Sequence, residues 1–459
     1  MARQVASHGM RMYWIVWAGN FISGIGTSLG SFSLVVWIYD QTKSASQFST
    51  MMTLAAVTGL ICMPIGGSIA DRFDRRKILI AGNLASAVIT LLMVSAFYTG
   101  QMKVWYSYII AVVMNAIGTL TFPSFLSSIR LLVPRGQLVR VAGLTQTAHA
   151  LTGMAMPPLA GFLIGRIHYH GVIAIDLVTF LFASLTLFLV RIPRPAALTA
   201  DVSEQRSVLG DMVFAWQYIR TRAGLFSLLS LFALTNFVGG MINVVLGPLI
   251  LSFASPTELG VVNAASTGGM LLGAFIISLW GGPKRRVQGI LWGFLAQACL
   301  LFLAGLEPSV PLLTFAMFLA MFVSPFILSC NQAIWQLKVD PAAQGRVLAA
   351  RGTIGMAAAP LAFATAGPLS DYVFRPLLVE GGALADSVGR VIGVGPGRGT
   401  ALMLMVIGVL LIVAILAAFA NPRLRNVETD LPDIGRQQQP DEPGGAPAAP
   451  QEGQAAAAG

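Results

Sequence analysis

The chain has 459 residues, of which 56% are hydrophobic and only 10% charged. A soluble domain carries about 25% charged residues, so this deficit excludes an ordinary soluble protein. Mean hydropathy is +0.75, which places the chain in the membrane class. The net charge of +10 raises nucleic acid as a partner, but the basic residues sit in short loops between apolar runs. They read as topology signals, and no nucleic-acid partner is expected.

Met1–Arg11 is polar and runs directly into an apolar segment, with no small-residue cleavage site, so no cleaved signal peptide is expected. A helix needs about 20 apolar residues to cross a bilayer. That ruler predicts twelve spans, at roughly 12–38, 47–70, 77–99, 104–127, 139–166, 171–191, 223–252, 257–281, 286–305, 308–336, 345–370 and 399–420. Glycines and prolines dilute the fifth and eleventh, which leaves ten or eleven spans as alternatives. The charge rule tests the segmentation. With the N-terminus inside, 23 of the 29 Lys and Arg fall on the cytoplasmic side, and Lys43, Lys103, Arg166, Arg375, Arg390 and Arg398 fall outside. Both termini are therefore expected in the cytoplasm. The three cysteines, Cys62, Cys299 and Cys330, lie in apolar segments and read as buried thiols without a metal or disulfide role.

The domains follow from this pattern. Residues 1–191 form a six-helix bundle and 192–222 a cytoplasmic linker, within which Ser207–Arg220 reads as an amphipathic surface helix. Residues 223–425 form a second six-helix bundle. The tail 426–459, rich in Gln, Pro, Gly and Ala, is expected to be disordered. Met154–Gly165 (MAMPPLAGFLIG) and Met356–Gly367 (MAAAPLAFATAG) share six of twelve positions at an offset of 202. The same offset pairs Pro123 with Pro325 and Ser127 with Ser329. Asn20-Phe21-x-x-Gly24 matches Asn236-Phe237-x-x-Gly240. Parallel repeats of this kind build one class of secondary transporter, with the substrate between the halves near the midplane.

The densest polar cluster is Gly66–Lys77, GGSIADRFDRRK, between two apolar runs. Gly67, Ile69, Ala70, Asp71, Arg72, Arg75 and Arg76 occupy a Gly-x-Leu-Ala-Asp-Arg-x-Gly-Arg-Arg/Lys signature, with Asp74 in place of its glycine. On this loop the chain resembles the major facilitator superfamily over about 12–420. In the fifth span Gly153, Pro158 and Gly161 match part of a motif that exporters of the family carry, while Pro157 and Phe162 replace two of its glycines. Asp71–Lys77, Phe122-Pro123-Ser124, Val133-Pro134 with Leu138, and Ala174–Phe180 resemble the macrolide-efflux and enterobactin-exporter branch. The resemblance implies an all-α integral membrane protein of twelve helices in two six-helix pseudo-repeats. It also implies export of amphipathic natural products, siderophores or antibiotics against a proton gradient.

The residues themselves add limits. No GxxxxGK[ST] loop is present, so ATP is not the energy source through that device. His168-x-His170 is read as a solvated pair, and no metal, cofactor or enzymatic constellation is expected. Proton coupling needs an acid inside the membrane, where acids are costly and few. Asp176, five residues into span six, is the candidate, with Asp40 and Asp371 weaker ones at span ends. Asn20, Phe21, Asn115, Gln146, Asn236, Phe237, Asn331, Gln332 and Trp335 are the candidate cavity residues, and so few fixed charges fit a bulky, mostly neutral substrate. Generic retention of positive charge explains the arginines of the loop but not Asp71, at a helix end where the dipole disfavours an acid. The loop therefore reads as a latch: Asp71 pairs with Arg75 across the cytoplasmic seam and Gly67 allows close packing. The equivalent Gly281–Arg286, GGPKRR, keeps the bases but has no acid. The expectation is a monomeric, proton-coupled exporter in the inner membrane. An importer or lipid transporter of the same fold, a non-transporting receptor and an embedded enzyme are the alternatives.

Overall fold

The computed structural model describes residues 2–190 and 208–430. Residues 191–207 and the tail from 431 lie outside the described residues. In hydrocarbon every backbone N–H and C=O must find a partner within the protein, which leaves helices as the economical solution for apolar runs of this length. The chain forms α1 (Ala2–Thr42), α2 (Ala45–Arg72), α3 (Arg75–Tyr98), α4 (Val104–Leu132) and α5 (Leu138–Leu189). After α6 (Val208–Arg220) come α7 (Ala223–Leu251), α8 (Pro256–Trp280), α9 (Arg286–Ala304), α10 (Val310–Lys338) and α11 (Pro341–Pro368). A π-helical turn, Leu369–Phe374, runs into the short α12 (Arg375–Leu377), followed by α13 (Gly389–Ile392) and α14 (Arg398–Ala420). Two short helices, α15 (Pro422–Arg425) and α16 (Val427–Asp430), complete the described chain.

Among the described residues, 11 helices are long and apolar enough to cross a membrane. α5 contains two of the crossings: His168 breaks it with φ 56° and ψ 178°, leaving 138–167 and 169–189 as separate lengths. The twelve expected spans are therefore all present. The alternatives with ten or eleven arise from small residues that serve as packing surface rather than as breaks. α1 lies along α5, α2 along α4, and α3 against both α4 and α5; α8 packs on α10, α9 on α10 and α14, and α7 on α11. Small residues let these helices approach. A Cβ on Gly66 would lie 2.7 Å from the Thr119 carbonyl oxygen of α4, and one on Gly269 would lie 2.2 Å from the Phe318 carbonyl oxygen of α10.

The loop Gly66–Lys77 is the sharp turn between α2 and α3. Asp74 caps α3, accepting from the Arg76 amide at 3.0 Å. This explains why an acid serves where the family signature has glycine. Arg76 crosses to the end of α5, where Nε donates to Leu187 O at 2.9 Å and Nη2 to Phe188 O at 2.8 Å. Those carbonyls have no partner within their own helix, and a cation there also suits the dipole. Arg75 Nη1 donates to Ser127 O of α4 at 3.4 Å. Both arginines thus brace the N-terminal bundle. The side chains of Asp71 and Arg72 lie outside the described residues. A Cβ on Gly67 would meet nothing within 4 Å, so the close approach here belongs to Gly66.

The second bundle solves the same problem with a distant acid. The α8–α9 turn has none of its own, but Glu428 of α16 accepts from the Arg286 amide at 3.2 Å and the Val287 amide at 3.0 Å. Its carbonyl accepts from Lys338 Nζ at 2.6 Å. Val427 and Leu424 are buried beside it, so the ordered bundle runs to Asp430, five residues past the expected boundary at 425. Of the cysteines, which are free, Cys330 is buried but Cys299 is exposed, so the expected burial does not extend to Cys299. Ala215 and Ile219 of α6 are buried, while the apolar Val213 and Trp216 are exposed. Removing the acid that caps α9 should be measurable. Hydrogen bonds to a charged group are worth about 1.5–3 kcal/mol, so Glu428→Ala should lower the melting temperature in detergent by roughly 3–6 °C. An unchanged melt would show that α16 does not hold α9.

Candidate functional site

The two bundles are in contact at the end where α1 passes into α2 and α11 ends. There Asp371, on the π-helical turn, reaches the start of α2 in the other bundle. Its carboxylate accepts from Ser44 Oγ at 2.6 Å, from the Ser46 amide at 2.8 Å and from the Ala45 amide at 3.2 Å. The first amides of a helix are orphan donors at the positive end of its dipole, so an anion is well placed. Beside it Arg375 Nη1 donates to Lys43 O at 3.3 Å. Lys43 itself turns the chain with φ 47°, a left-handed conformation that costs a non-glycine residue roughly 1–2 kcal/mol. A Cβ on Gly367 would lie 2.1 Å from Ser49 Oγ, so α2 and α11 are in direct contact at this end.

The same end holds a second seam, between α5 and α8. A Cβ on Gly161 would lie 2.4 Å from Pro256 O, and one on Gly260 would lie 2.4 Å from Pro158 Cα. A Cβ on Gly153 would still be in van der Waals contact with Thr267, at 3.8 Å. Gly153, Pro158 and Gly161 therefore lie where the bundles touch. At the opposite, terminus-bearing end, α6 bridges to α11 through Asp211 and Arg346, 3.8 Å apart.

Away from the sealed end, each bundle contains a hollow. The N-terminal one holds about 480 Å³ and runs from Thr27 and Gly153 at mid-bundle to Trp17, Leu79, Phe125 and Leu187 toward the terminus-bearing end. Asn20, Phe21, Asn83, Phe122 and His149 also line it, and among its lining residues His149 alone has a titratable side chain. The rings of Trp17 and Phe21 stack at 5.3 Å with an 8° interplanar angle. The C-terminal hollow holds about 270 Å³ between α7, α9, α10 and α14, lined by Asn236, Gln297, Met317, Ser324 and Leu328 among others. Asn20 and Asn236, equivalent in the repeat, line equivalent hollows.

The other expected cavity residues divide. Phe237 packs against the main core instead of entering the hollow. Asn115 faces Gly59 across the α2–α4 contact, and Gln146 lines neither hollow. Asn331 and Trp335 are buried and bonded to each other, Trp335 Nε1 donating to Asn331 Oδ1 at 3.0 Å. Gln332 accepts from Arg351 Nη1 at 3.1 Å. His149, a polar residue within its span, enters the hollow, and so does Asn83, which was not selected; a polar residue within a span is the one signal that marks it.

Asp176 is 3% exposed, in the contact between α1 and the second half of α5. Cβ atoms on Gly26 and Gly30 would lie 2.9 and 3.0 Å from its two carboxylate oxygens, so only glycine leaves room for the group. Thr27 Oγ1, on the hollow's wall, donates to Asp176 Oδ1 at 3.3 Å. Asp176 thus sits one side chain behind the N-terminal hollow. Asp40 instead pairs with Lys43 at 2.8 Å on the exposed end of α1. Among the described residues no group of three or more His, Cys, Asp or Glu could hold a metal ion.

The sealed end supplies a test. In a cysteine-free background carrying Ser46→Cys, the further change Asp371→Asn replaces charge-assisted bonds with neutral ones. Maleimide modification of the reporter from the sealed side should accelerate on the order of tenfold. An unchanged rate would show that Asp371 does not hold the two bundles together.

A family model described as the Major Facilitator Superfamily matches residues 16–363. Macrolide efflux protein A of Streptococcus pyogenes is 26% identical over 367 residues, covering 79% of this chain and 90% of the relative. Macrolide efflux protein A of Enterococcus faecalis is 28% identical over 304 residues, covering 65% and 93%. Among solved structures, a bacterial homologue of the human lysosomal transporter Spinster, inward-facing and unoccupied, gives a TM-score of 0.66 at 15% identity over 93% of this chain and 98% of that one. The nucleoside transporter NupG gives 0.64 at 12% identity over 89% and 99%. At such identities the structural likeness shows the fold alone. The family model covers most of the chain, and with the twelve crossings and paired bundles the conclusion is direct: this is a multi-pass membrane transporter belonging to the major facilitator superfamily.

Proposed function

We propose that the chain is a proton-coupled exporter of an amphipathic small molecule such as a drug, a siderophore or another secondary metabolite. It acts as a monomer in the inner membrane, with both termini in the cytoplasm. In that orientation the sealed end faces outward and the hollows are reached from the cytoplasm, as cargo loading for export requires. The excess of Lys and Arg on the terminus-bearing side supports the orientation, and the macrolide-efflux relatives support the direction.

The observation that carries the proton coupling is Asp176 behind the hollow's wall. A carboxyl group in a membrane-spanning helix is costly, which makes it a functional candidate by default. Thr27 offers it a route to the cavity. Proton binding at Asp176 changes the bond to Thr27 and with it the α1–α5 contact, while cargo binds on the other side of the same wall. The loop Gly67, Asp71, Arg72, Arg75 and Arg76 serves as the cytoplasmic gate in this reading. It closes the terminus-bearing end in the state opposite to the one described here. Gly153, Pro158 and Gly161 give α5 the small surface on which the outer seam closes and opens.

The experiment uses inside-out vesicles and a panel of amphipathic compounds that includes a macrolide. An inward-directed proton gradient should drive accumulation, and a protonophore should abolish it. Asp176→Asn should lose gradient-driven uptake while the protein remains in the membrane. Uptake that survives collapse of the gradient would overturn proton antiport, and unchanged uptake by Asp176→Asn would remove that residue from the coupling.

A further inference from the structure

The described contacts place one arginine where the loop-by-loop charge count does not put it. Arg351 lies about 15 Å along α11 from its first residue, Pro341. It is half-buried and reaches across to α10, where Nη1 donates to Gln332 Oε1 at 3.1 Å. Its guanidinium lies 5.3 Å from the centre of the Trp335 ring. Trp335 is in turn fixed by its bond to Asn331. The guanidinium is therefore held from two sides, by a neutral amide and by an aromatic ring. Among the described residues no carboxylate pairs with it.

Its neighbours locate it beside the C-terminal hollow. Leu328 and Ser324 line that hollow, and Gln332 continues the same face of α10 by one turn. On α11, Gly355 is one turn beyond Arg351, and a Cβ there would lie 3.3 Å from Asn236 Nδ2. Asn236 lines the hollow too. Arg351 is not itself among the lining residues; it stands about one helical turn beyond them on the terminus-bearing side, through Gln332 on α10 and Gly355 on α11. The residues lining both hollows include no acid.

We infer that Arg351 is the anion-recognising group of the cargo site, and that the cargo is an amphipathic organic anion with a carboxylate or similar oxyanion. The inference rests on the reading of these hollows as the cargo path. A guanidinium presents five N–H donors in a planar fork that matches an oxyanion. One donor is used by Gln332, which sets the plane of the fork and leaves the others for a ligand. The apolar body of the cargo then faces the aromatic wall of Trp17, Phe21 and Phe122 in the other bundle. This replaces the mostly neutral substrate that the scarcity of charge had favoured.

The test is equilibrium binding by calorimetry to the purified full chain in maltoside, with 1-naphthaleneacetate and its neutral amide as a matched pair. The carboxylate should bind at least about tenfold more tightly than the amide. Arg351→Gln should bring the two within about twofold, chiefly by weakening the carboxylate. Arg351→Lys should restore part of the preference, which separates a lost charge from a lost fold. Equal binding of the pair, binding of neither, or a preference that survives Arg351→Gln would overturn the inference. Transport is measured separately in vesicles. Anion preference without gradient-driven flux would overturn the exporter reading alone, and flux without an Arg351-dependent preference would overturn this one alone.

Discussion

The arrangement depends on one carboxylate. Asp371 sits on the first amides of α2 and ties the two bundles together across the seam. The interaction is strong because unpaired amides, the helix dipole and a full negative charge coincide. The π-helical turn that carries it is a form seen mostly at functional sites. Lys43 in its left-handed conformation and Gly367 against Ser49 belong to the same contact. A few kcal/mol concentrated at one end suits an element with two discrete arrangements.

From that end the other features follow in order. The α5–α8 seam closes beside it on Gly161 and Gly260. The hollows lie away from that end. Their walls come from α1, α3, α4 and α5 in one bundle and from α7, α9, α10 and α14 in the other. Charged or titratable groups stand just outside these hollows: Asp176 behind Thr27 in one bundle, and Arg351 about one helical turn beyond the lining in the other. α2 receives Asp371 from the other bundle on its first amides and has Asp71 in its own last turn. A helix so placed is suited to switching between two seams.

The fold was legible in the sequence because length and hydropathy alone identify a helix that crosses a membrane. The expected α2–α3 turn is present, the helix expected over Ser207–Arg220 is described over Val208–Arg220, Asn20 and Asn236 line the two hollows, and Pro123 and Pro325 lie inside α4 and α10. Which way a residue faces was far less legible. A soluble helix reveals its core face through alternation with polar residues, but these helices are apolar on every side, toward lipid and toward protein alike. Asn115 and Asn20 have the same status in sequence, yet one packs on α2 and the other lines a hollow. Glu428 and Asp371 find partners 141 and 325 residues away, which no local pattern reveals. Arg351 was legible in position, since it stands inside the predicted eleventh span, but its charge suggested a loop. Only the partners Gln332 and Trp335 show why a cation is held there.

If the contact between Asp371 and α2 is one of two alternating seals, opening it must close the opposite end. Spin labels at Lys43 and Tyr372 would report the sealed end, and labels at Phe73 and Gln344 the terminus-bearing end. Pulsed electron resonance on the full chain in lipid nanodiscs, with Asp371→Asn or at varied pH, should show the first distance lengthening while the second shortens. Two distances that lengthen together, or a second distance that ignores the first, would contradict the alternation of the two seals.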